Sequence, residues 1–396
     1  MALNLESMIS PVVKSLPPSG IRKFFDLIAG APDVISLGVG EPDFSTPLSI
    51  RKASIEALYR GETSYTSNKG TPELRQALSD YLCKQHQVSY DPENEILVTI
   101  GASEAVDLAL RAVVCPGDEV IIVEPAYVSY MPCTLLAGGV PVFVKTKAEN
   151  DFKLMPEELE AAITPRTKLV IIAYPNNPTG AVMTKEDLKP IADIILKHNI
   201  LVLSDEIYAE LTYENKHTSI IEFPGMKERT ILVSGFSKSF AMTGWRIGFA
   251  AAPAQILNAM AKIHQYTILC APIMAQQAAL EGLRHGAAEV KHMVEHYDFR
   301  RKLVYSRLVA MGLECFEPKG AFYIFPSIAS TGFTSEEFAQ RLLEEEKVAV
   351  VPGEAFGTSG TGHIRISYAN SVANLEEAMN RIQRFIKRHQ LKLVAN

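Results

Sequence analysis

The chain has 396 residues, with 39 basic against 45 acidic side chains and a formal net charge of −6. Hydrophobic residues make up 47% and charged residues 21%, which excludes a disordered chain and leaves enough apolar material for two or three domains. The acidic balance, with no block of basic residues, argues against a nucleic-acid surface, and no apolar run approaches the length of a membrane span.

Glu6 precedes any apolar stretch, so no secretory leader is expected. Cys83, Cys115, Cys133, Cys270 and Cys315 have unrelated spacings and form no CxxC pair, which reads as reduced thiols in a cytoplasmic protein. Residues 1–47 hold a short predicted helix over 20–29 and a turn-rich stretch over 38–47. They are too few to fold alone and are expected to pack on the C-terminal domain or on a neighbouring subunit.

Between about 95 and 250, β-rich runs over 96–100, 120–123, 140–145, 169–174, 200–203, 231–234 and 247–251 alternate with helical patterns, among them 103–114, 184–198 and 253–270. Runs that are almost wholly apolar are buried on both faces, so the sequence predicts an α/β domain over 48–286, a mainly parallel sheet covered by helices. Ligands of such sheets bind beyond the C-terminal ends of the strands. After 286 the texture changes to a long charged helix over 287–311, a short strand pattern over 321–326, a helix over 335–345, strands near 348–351 and 364–367, and a helix from Leu375. This predicts a smaller α+β domain over 287–396.

No Gly-Lys dipeptide, GxGxxG or GxSxG occurs, which removes a Walker-type loop and weakens nicotinamide-binding and serine-hydrolase readings. His292, Glu295 and His296 fit an H-x-x-E-H metal pattern, but they sit among Lys291, Asp298, Arg300 and Arg301 on a solvated helix without a third ligand, so no metal is expected.

Four features fall at predicted strand ends: Asp205 with Glu206 and Tyr208 after 200–203, Lys238 after 231–234, Arg246 between Gly244 and Gly248, and Pro175-Asn176-Asn177-Pro178-Thr179-Gly180 after 169–174. Singly they also read as a cap, a solvated lysine, a surface arginine and a plain turn. Together they match one reagent: a pyridoxal cofactor needs a lysine amine, a carboxylate for its ring nitrogen and an arginine for its phosphate.

The strings 175–180, 204–208 and 237–248 resemble those of class I aminotransferases of the pyridoxal-phosphate fold type I, closest to the subgroup with aspartate, aromatic and N-acetyl-diaminopimelate aminotransferases. The resemblance implies that Lys238 carries pyridoxal 5'-phosphate and shuttles the reacting proton, that Asp205 pairs with the ring nitrogen, and that Tyr208 and Asn177 donate to the phenolic oxygen. By the same resemblance Arg246 grips the phosphate with backbone N–H groups of Gly101, Ala102 and Ser103, and Tyr127 stacks on the ring. Tyr65 reaches the phosphate of the opposite subunit in a homodimer, while Arg365 clamps the substrate α-carboxylate beside Gly40. Many relatives carry a phosphate-binding serine three residues before the lysine; Gly235 stands here, leaving Ser237 as the substitute.

The expected reaction is a ping-pong transamination between an L-amino acid and a 2-oxo acid, 2-oxoglutarate above all, with a cystathionine-type β-lyase as the competing chemistry on the same residues. Aromatic donors are favoured, with aspartate and N-acetyl-diaminopimelate left open. In related aminotransferases the segment from Gly20 folds over the pocket. The expectation here is that Ile21 and Phe24 meet the substrate side chain and Arg22 takes the distal carboxylate of the acceptor.

Overall fold

The computed structural model describes residues 4–17 and 33–394. The expected helix over 20–29, with Ile21, Arg22 and Phe24, lies outside the described residues. The strands, in chain order, are β1 (Ile35–Ser36), β2 (Ile96–Thr99), β3 (Glu119–Glu124), β4 (Val140–Lys145), β5 (Thr167–Ala173) and β6 (Leu201–Asp205). They continue with β7 (Thr230–Gly235), β8 (Gly248–Ala251), β9 (Tyr323–Ile324), β10 (Val348–Ala349), β11 (Val351–Pro352) and β12 (Ile364–Ser367).

Seven of these form the main sheet in the order β2-β8-β7-β6-β5-β3-β4, with β8 alone antiparallel to its neighbours. The strands alternate their contacts residue by residue, as the pleat requires. Val120, Ile122, Leu169, Ile171, Leu203 and Ile231 pack in one apolar cluster with the helices Gly101–Val113 and Ala254–Thr267. Ile121, Val123, Val170, Ile172 and Val202 pack in another with the helix Lys185–His198. That helix begins at a reciprocal cap, Thr184 and Asp187 each bonding the other's backbone N–H. The expected helix over 253–270 stops at Thr267, because Leu269 takes a left-handed conformation (φ 76°) ahead of Pro272.

The C-terminal part contains the sheet β11-β12-β9, and β1 pairs in parallel with β10, Ile35 opposite Val348. The expected strand over 348–351 is split into β10 and β11, which join different sheets. The helix Ala287–Ala310 straddles two cores: Val290 packs with the helix Ile273–His285, whereas Met293, Tyr297, Val304 and Leu308 pack with β9, β10 and β12. Leu37, Tyr208 and Leu211 join that second core, so the segment leaving β6 touches the C-terminal part directly.

Among the described residues no helix is long and apolar enough to cross a membrane, and no group of three or more His, Cys, Asp or Glu side chains is placed to hold a metal. His292 and His296 turn their rings to each other (centroids 4.4 Å apart) and edge-on to Phe44.

One close approach fixes where the site lies. Gly248 of β8 sits so near the start of the helix Gly101–Val113 that a Cβ there would stand 2.6 Å from the Ala102 nitrogen. Gly235 lies opposite Gly248 in register, and a Cβ at 235 would stand 2.9 Å from the Gly248 Cα. Gly248→Ala should therefore cost about 1–3 kcal/mol in chemical denaturation through forced backbone displacement. Gly244→Ala, four residues earlier with nothing within 4 Å of the added Cβ, should change stability little; equal effects of the two would remove the close-packing argument.

Candidate active site

A cavity of ≈ 350 Å³ opens where the C-terminal ends of the parallel strands meet the C-terminal part of the chain. Its lining includes Lys238, Asp205, Tyr208, Asn177, Arg246 and Arg365, which the sequence scatters over 189 positions, from 177 to 365 counted inclusively. Ala102, Ser103, Tyr127, Ser237 and Gly40 line it as well.

Asp205 ends β6 and is buried. The Tyr130 hydroxyl donates to its Oδ2 at 2.7 Å and the Ile207 N–H to its Oδ1 at 3.2 Å. Burial pushes its carboxyl up to about 6, although both hydrogen bonds pull the other way. Lys238 follows β7 by three residues, and its Nζ donates to the Gly40 carbonyl at 2.6 Å. Burial draws its amine down to about 8; the Arg365 and Arg246 charges act in the same sense, and Glu41 and Asp205 oppose them. Tyr208, three residues after Asp205, shares a hydrogen bond of 2.7 Å with the Tyr323 hydroxyl.

Gly101, Ala102 and Ser103 are the first three residues of their helix, where backbone N–H groups have no intrahelical acceptor and the helix dipole favours an anion. The Arg246 guanidinium lies over Gly101: a Cβ there would stand 2.6 Å from Nη2, and Gly101 has φ +72°. Arg246 itself is left-handed (φ 53°) and donates through Nη1 to the Thr243 carbonyl at 2.9 Å. A guanidinium and a helix N-terminus thus converge on one point, a combination suited to a phosphate. Ser237 is buried beside them, whereas Gly235 is committed to the tight contact with Gly248.

Arg365, in β12, is 2% exposed. Its Nη1 donates to Asn177 Oδ1 at 2.8 Å and its Nη2 to the Gly38 carbonyl at 2.6 Å, and its guanidinium lies over the Tyr323 and Phe356 rings at 4.5 and 4.8 Å. Its Nε is buried without a partner. A buried guanidinium with a donor to spare is suited to a carboxylate ligand.

Tyr65 is 84% exposed and does not line the cavity. Three contributors escaped the sequence reading. Tyr130 opens the helix Tyr130–Leu136 three residues after Tyr127, with the rings 5.6 Å apart and nearly perpendicular, and that spacing was its only signal. Tyr323 had the aromatic run 322–323 as a hint, and the Gly38 carbonyl had none.

The sequence and the fold are similar to those of known proteins. The family model of class I and II aminotransferases matches residues 32–382. An aspartate aminotransferase of Pyrococcus abyssi is 50% identical over 94% of this chain and 97% of its own. An aromatic-amino-acid aminotransferase of Thermococcus litoralis is 46% identical over 97% and 99%. The crystal structure of an aromatic aminotransferase from Pyrococcus horikoshii superimposes with a TM-score of 0.90 at 48% identity, over 94% of this chain and 100% of that one. The aspartate aminotransferase of Thermus thermophilus with maleate gives 0.91 at 40%, over 95% and 99%. With its parallel sheet, its strand-end cavity and these relatives along nearly its whole length, the chain belongs to the class I and II aminotransferase family and has the fold of the type I enzymes.

Proposed function

We propose that this aminotransferase uses pyridoxal 5'-phosphate to move an amino group between an L-amino acid and a 2-oxo acid, 2-oxoglutarate being the acceptor, in a ping-pong cycle at one site. The observation that carries the reading is the convergence of an amine, a carboxylate and two guanidiniums, Lys238, Asp205, Arg246 and Arg365, on one cavity. The cradle of Arg246 over Gly101 and the unpartnered Arg365 Nε supply one anion site for the phosphate and another for the substrate.

Bound there, the cofactor supplies a carbonyl to accept the amino group and an electron sink for the pair left at Cα. Lys238 would hold the cofactor, and its amine, depressed to about 8 by burial, is suited to take and return the substrate's Cα proton once free. Asp205, kept in place by Tyr130 and the Ile207 N–H, holds the proton on the ring nitrogen. Tyr208 and Asn177, both in the cavity lining, would donate to the cofactor's phenolic oxygen, and Tyr127 would offer its ring as a stacking surface. Arg246, with Gly101, Ala102, Ser103 and Ser237, binds the phosphate. Arg365 orients the α-carboxylate by a planar two-bond grip, beside the Gly38–Gly40 turn.

For the donor we favour an aromatic amino acid. Among the described residues lining the cavity the cations are Lys238, Arg246 and Arg365, each with a task above, while Tyr127, Tyr323 and Val106 offer apolar surface. The relatives include aspartate and aromatic enzymes alike, so aspartate stays on the panel. Arg22 keeps its proposed part in reading the acceptor's distal carboxylate. We place the boundary between the larger and smaller domains at 286/287, supported by the packing of Met293 and later residues of that helix with the C-terminal strands. A cytoplasmic location accords with five unpaired cysteines.

Borohydride should fix the cofactor to wild-type protein at Lys238, and Lys238→Ala should lose that fixation and nearly all turnover with a panel of donors and 2-oxoglutarate. Fixation at another lysine overturns the assignment.

The raised pKa of Asp205 makes a prediction for stability. Its folded value of about 6 lies above the usual 3.8, so the folded state binds the proton more tightly than the unfolded one. Stability is unaffected below pH 4, falls as pH rises from 4 to 6, and stays reduced above that. In cofactor-free protein Asp205→Asn should therefore raise stability at pH 8 by about 2–3 kcal/mol, with the gain vanishing near pH 4 in denaturant titrations. The same variant of the loaded enzyme should lose most of its rate, because an amide cannot hold the ring proton.

The exposed position of Tyr65 supports a homodimer in which it serves the opposite site. Hybrids of a Lys238→Ala chain with a Tyr65→Phe chain should then contain one site with both defects and one with neither, and show the activity of the unimpaired site. Activity at the level of Tyr65→Phe alone would place Tyr65 in its own chain's site.

A further inference from the structure

The two groups assigned to the cofactor and to the α-carboxylate lean on the same short turn. Lys238 donates to the Gly40 carbonyl and Arg365 to the Gly38 carbonyl, each at 2.6 Å. These acceptors are two residues apart on the chain, so displacing the turn displaces both.

The turn is tied on two sides. Toward the loop that carries Lys238 and Arg246, the Thr46 hydroxyl donates to the Ala241 carbonyl at 2.6 Å and accepts from Trp245 Nε1 at 2.9 Å, while the Thr243 hydroxyl donates to Glu41 at 3.0 Å. Toward the helix Ala287–Ala310, Arg300 Nη1 donates to Asp43 Oδ1 at 2.7 Å. The Arg300 guanidinium lies over the Phe44 ring at 5.2 Å and the Tyr297 ring at 5.7 Å, and Phe44 stands edge-on to Tyr297 at 5.5 Å. Arg300 is only 7% exposed. A buried guanidinium kept at one carboxylate through Nη1 and over two ring faces is fixed in direction as well as drawn by charge, since the rings set its plane while Asp43 sets its reach. Arg300 is not among the residues that line the cavity.

We propose that Arg300 is a positioning residue for transamination: through Asp43 and Phe44 it holds the 38–46 turn where the Gly38 carbonyl meets Arg365. This rests on the role given to Arg365 above. The ion pair acts on substrate capture, because Arg365 presents its remaining donors to a carboxylate only while Gly38 and Asn177 hold the others.

The test uses the loaded enzyme and 3-phenylpropionate, an aromatic carboxylate without an amine, whose binding is followed by calorimetry alongside steady-state kinetics. Arg300→Gln and Asp43→Asn should each weaken the analogue about tenfold and raise KM for donor and acceptor alike, with kcat changed less than about threefold. Arg300→Lys, which keeps the charge but not the fork, should recover part of the loss, and the double variant should be no worse than either single one. Should Arg300→Gln fail to fold, Asp43→Asn, on the more exposed partner, carries the test. Analogue binding and KM within about twofold of wild type in Asp43→Asn, or losses that simply add in the double variant, overturn the proposal. Unchanged analogue binding in Arg365→Lys would instead overturn the carboxylate assignment itself, whatever Arg300 does.

Discussion

Three cations, Lys238, Arg246 and Arg365, face one cavity in which Asp205 and Glu41 are the carboxylates. Like charges brought together in a partly dry space repel, and at an effective dielectric near 20 a pair 4 Å apart costs about 4 kcal/mol. The lowered proton affinity of Lys238 records part of that repulsion, beside the larger effect of burial. The fold tolerates the arrangement by giving each cation a neutral backbone acceptor: Gly40 for Lys238, Gly38 for Arg365 and Thr243 for Arg246. A carbonyl satisfies a donor without cancelling its charge, so the cavity stays positive and suited to phosphate and carboxylate.

The same constraint explains why the site draws on so many elements. Groups that must converge on one cavity from different directions cannot all project from one strand or helix, whose side chains diverge around its axis or alternate between its faces. Here Lys238 leaves β7, Arg246 stands just before β8, and Arg365 lies in β12 of a separate sheet. Tyr208, which follows the β6 carboxylate, packs its ring against Phe322 and Tyr323 and so joins the end of the main sheet to the C-terminal core. The reversed strand β8 allows Gly248 to press against the first turn of the helix Gly101–Val113, bringing the helix N-terminus within reach of Arg246.

Much of this was legible in the sequence. All seven strands of the main sheet lie within a residue or two of the predicted runs: most are buried on both faces and leave an unbroken apolar signature, while the edge strand β4, partly exposed, is marked by its alternating valines. Asp205 and Lys238 stood out because each followed such a run, whereas Arg365, inside a short strand, was marked only by the family resemblance. The helix over 253–270 was overextended, since hydrophobic periodicity continues past the point where Leu269 turns left-handed. Tyr130, Tyr323 and Arg300 were hidden for a different reason. Each acts through a hydrogen bond or ring contact with a partner 75 to 257 residues away, for example Tyr130 with Asp205 and Arg300 with Asp43. Neither composition nor period encodes such pairings. Arg300 had been read only as a charge on a solvated helix, yet the helix is buried along that side.

The backbone acceptors at Gly38 and Gly40 have a bearing on how the enzyme can change over generations. A side-chain ligand can be deleted by one nucleotide change, whereas a main-chain carbonyl survives every substitution at its own position. Mutation can only shift it, through Asp43 and Thr46 within the turn or through Arg300 and Trp245, which anchor it from outside. Variation around this turn is therefore graded: it retunes the grip on Lys238 and Arg365 by degrees, giving drifting lineages a continuous range of affinities to explore before activity is lost.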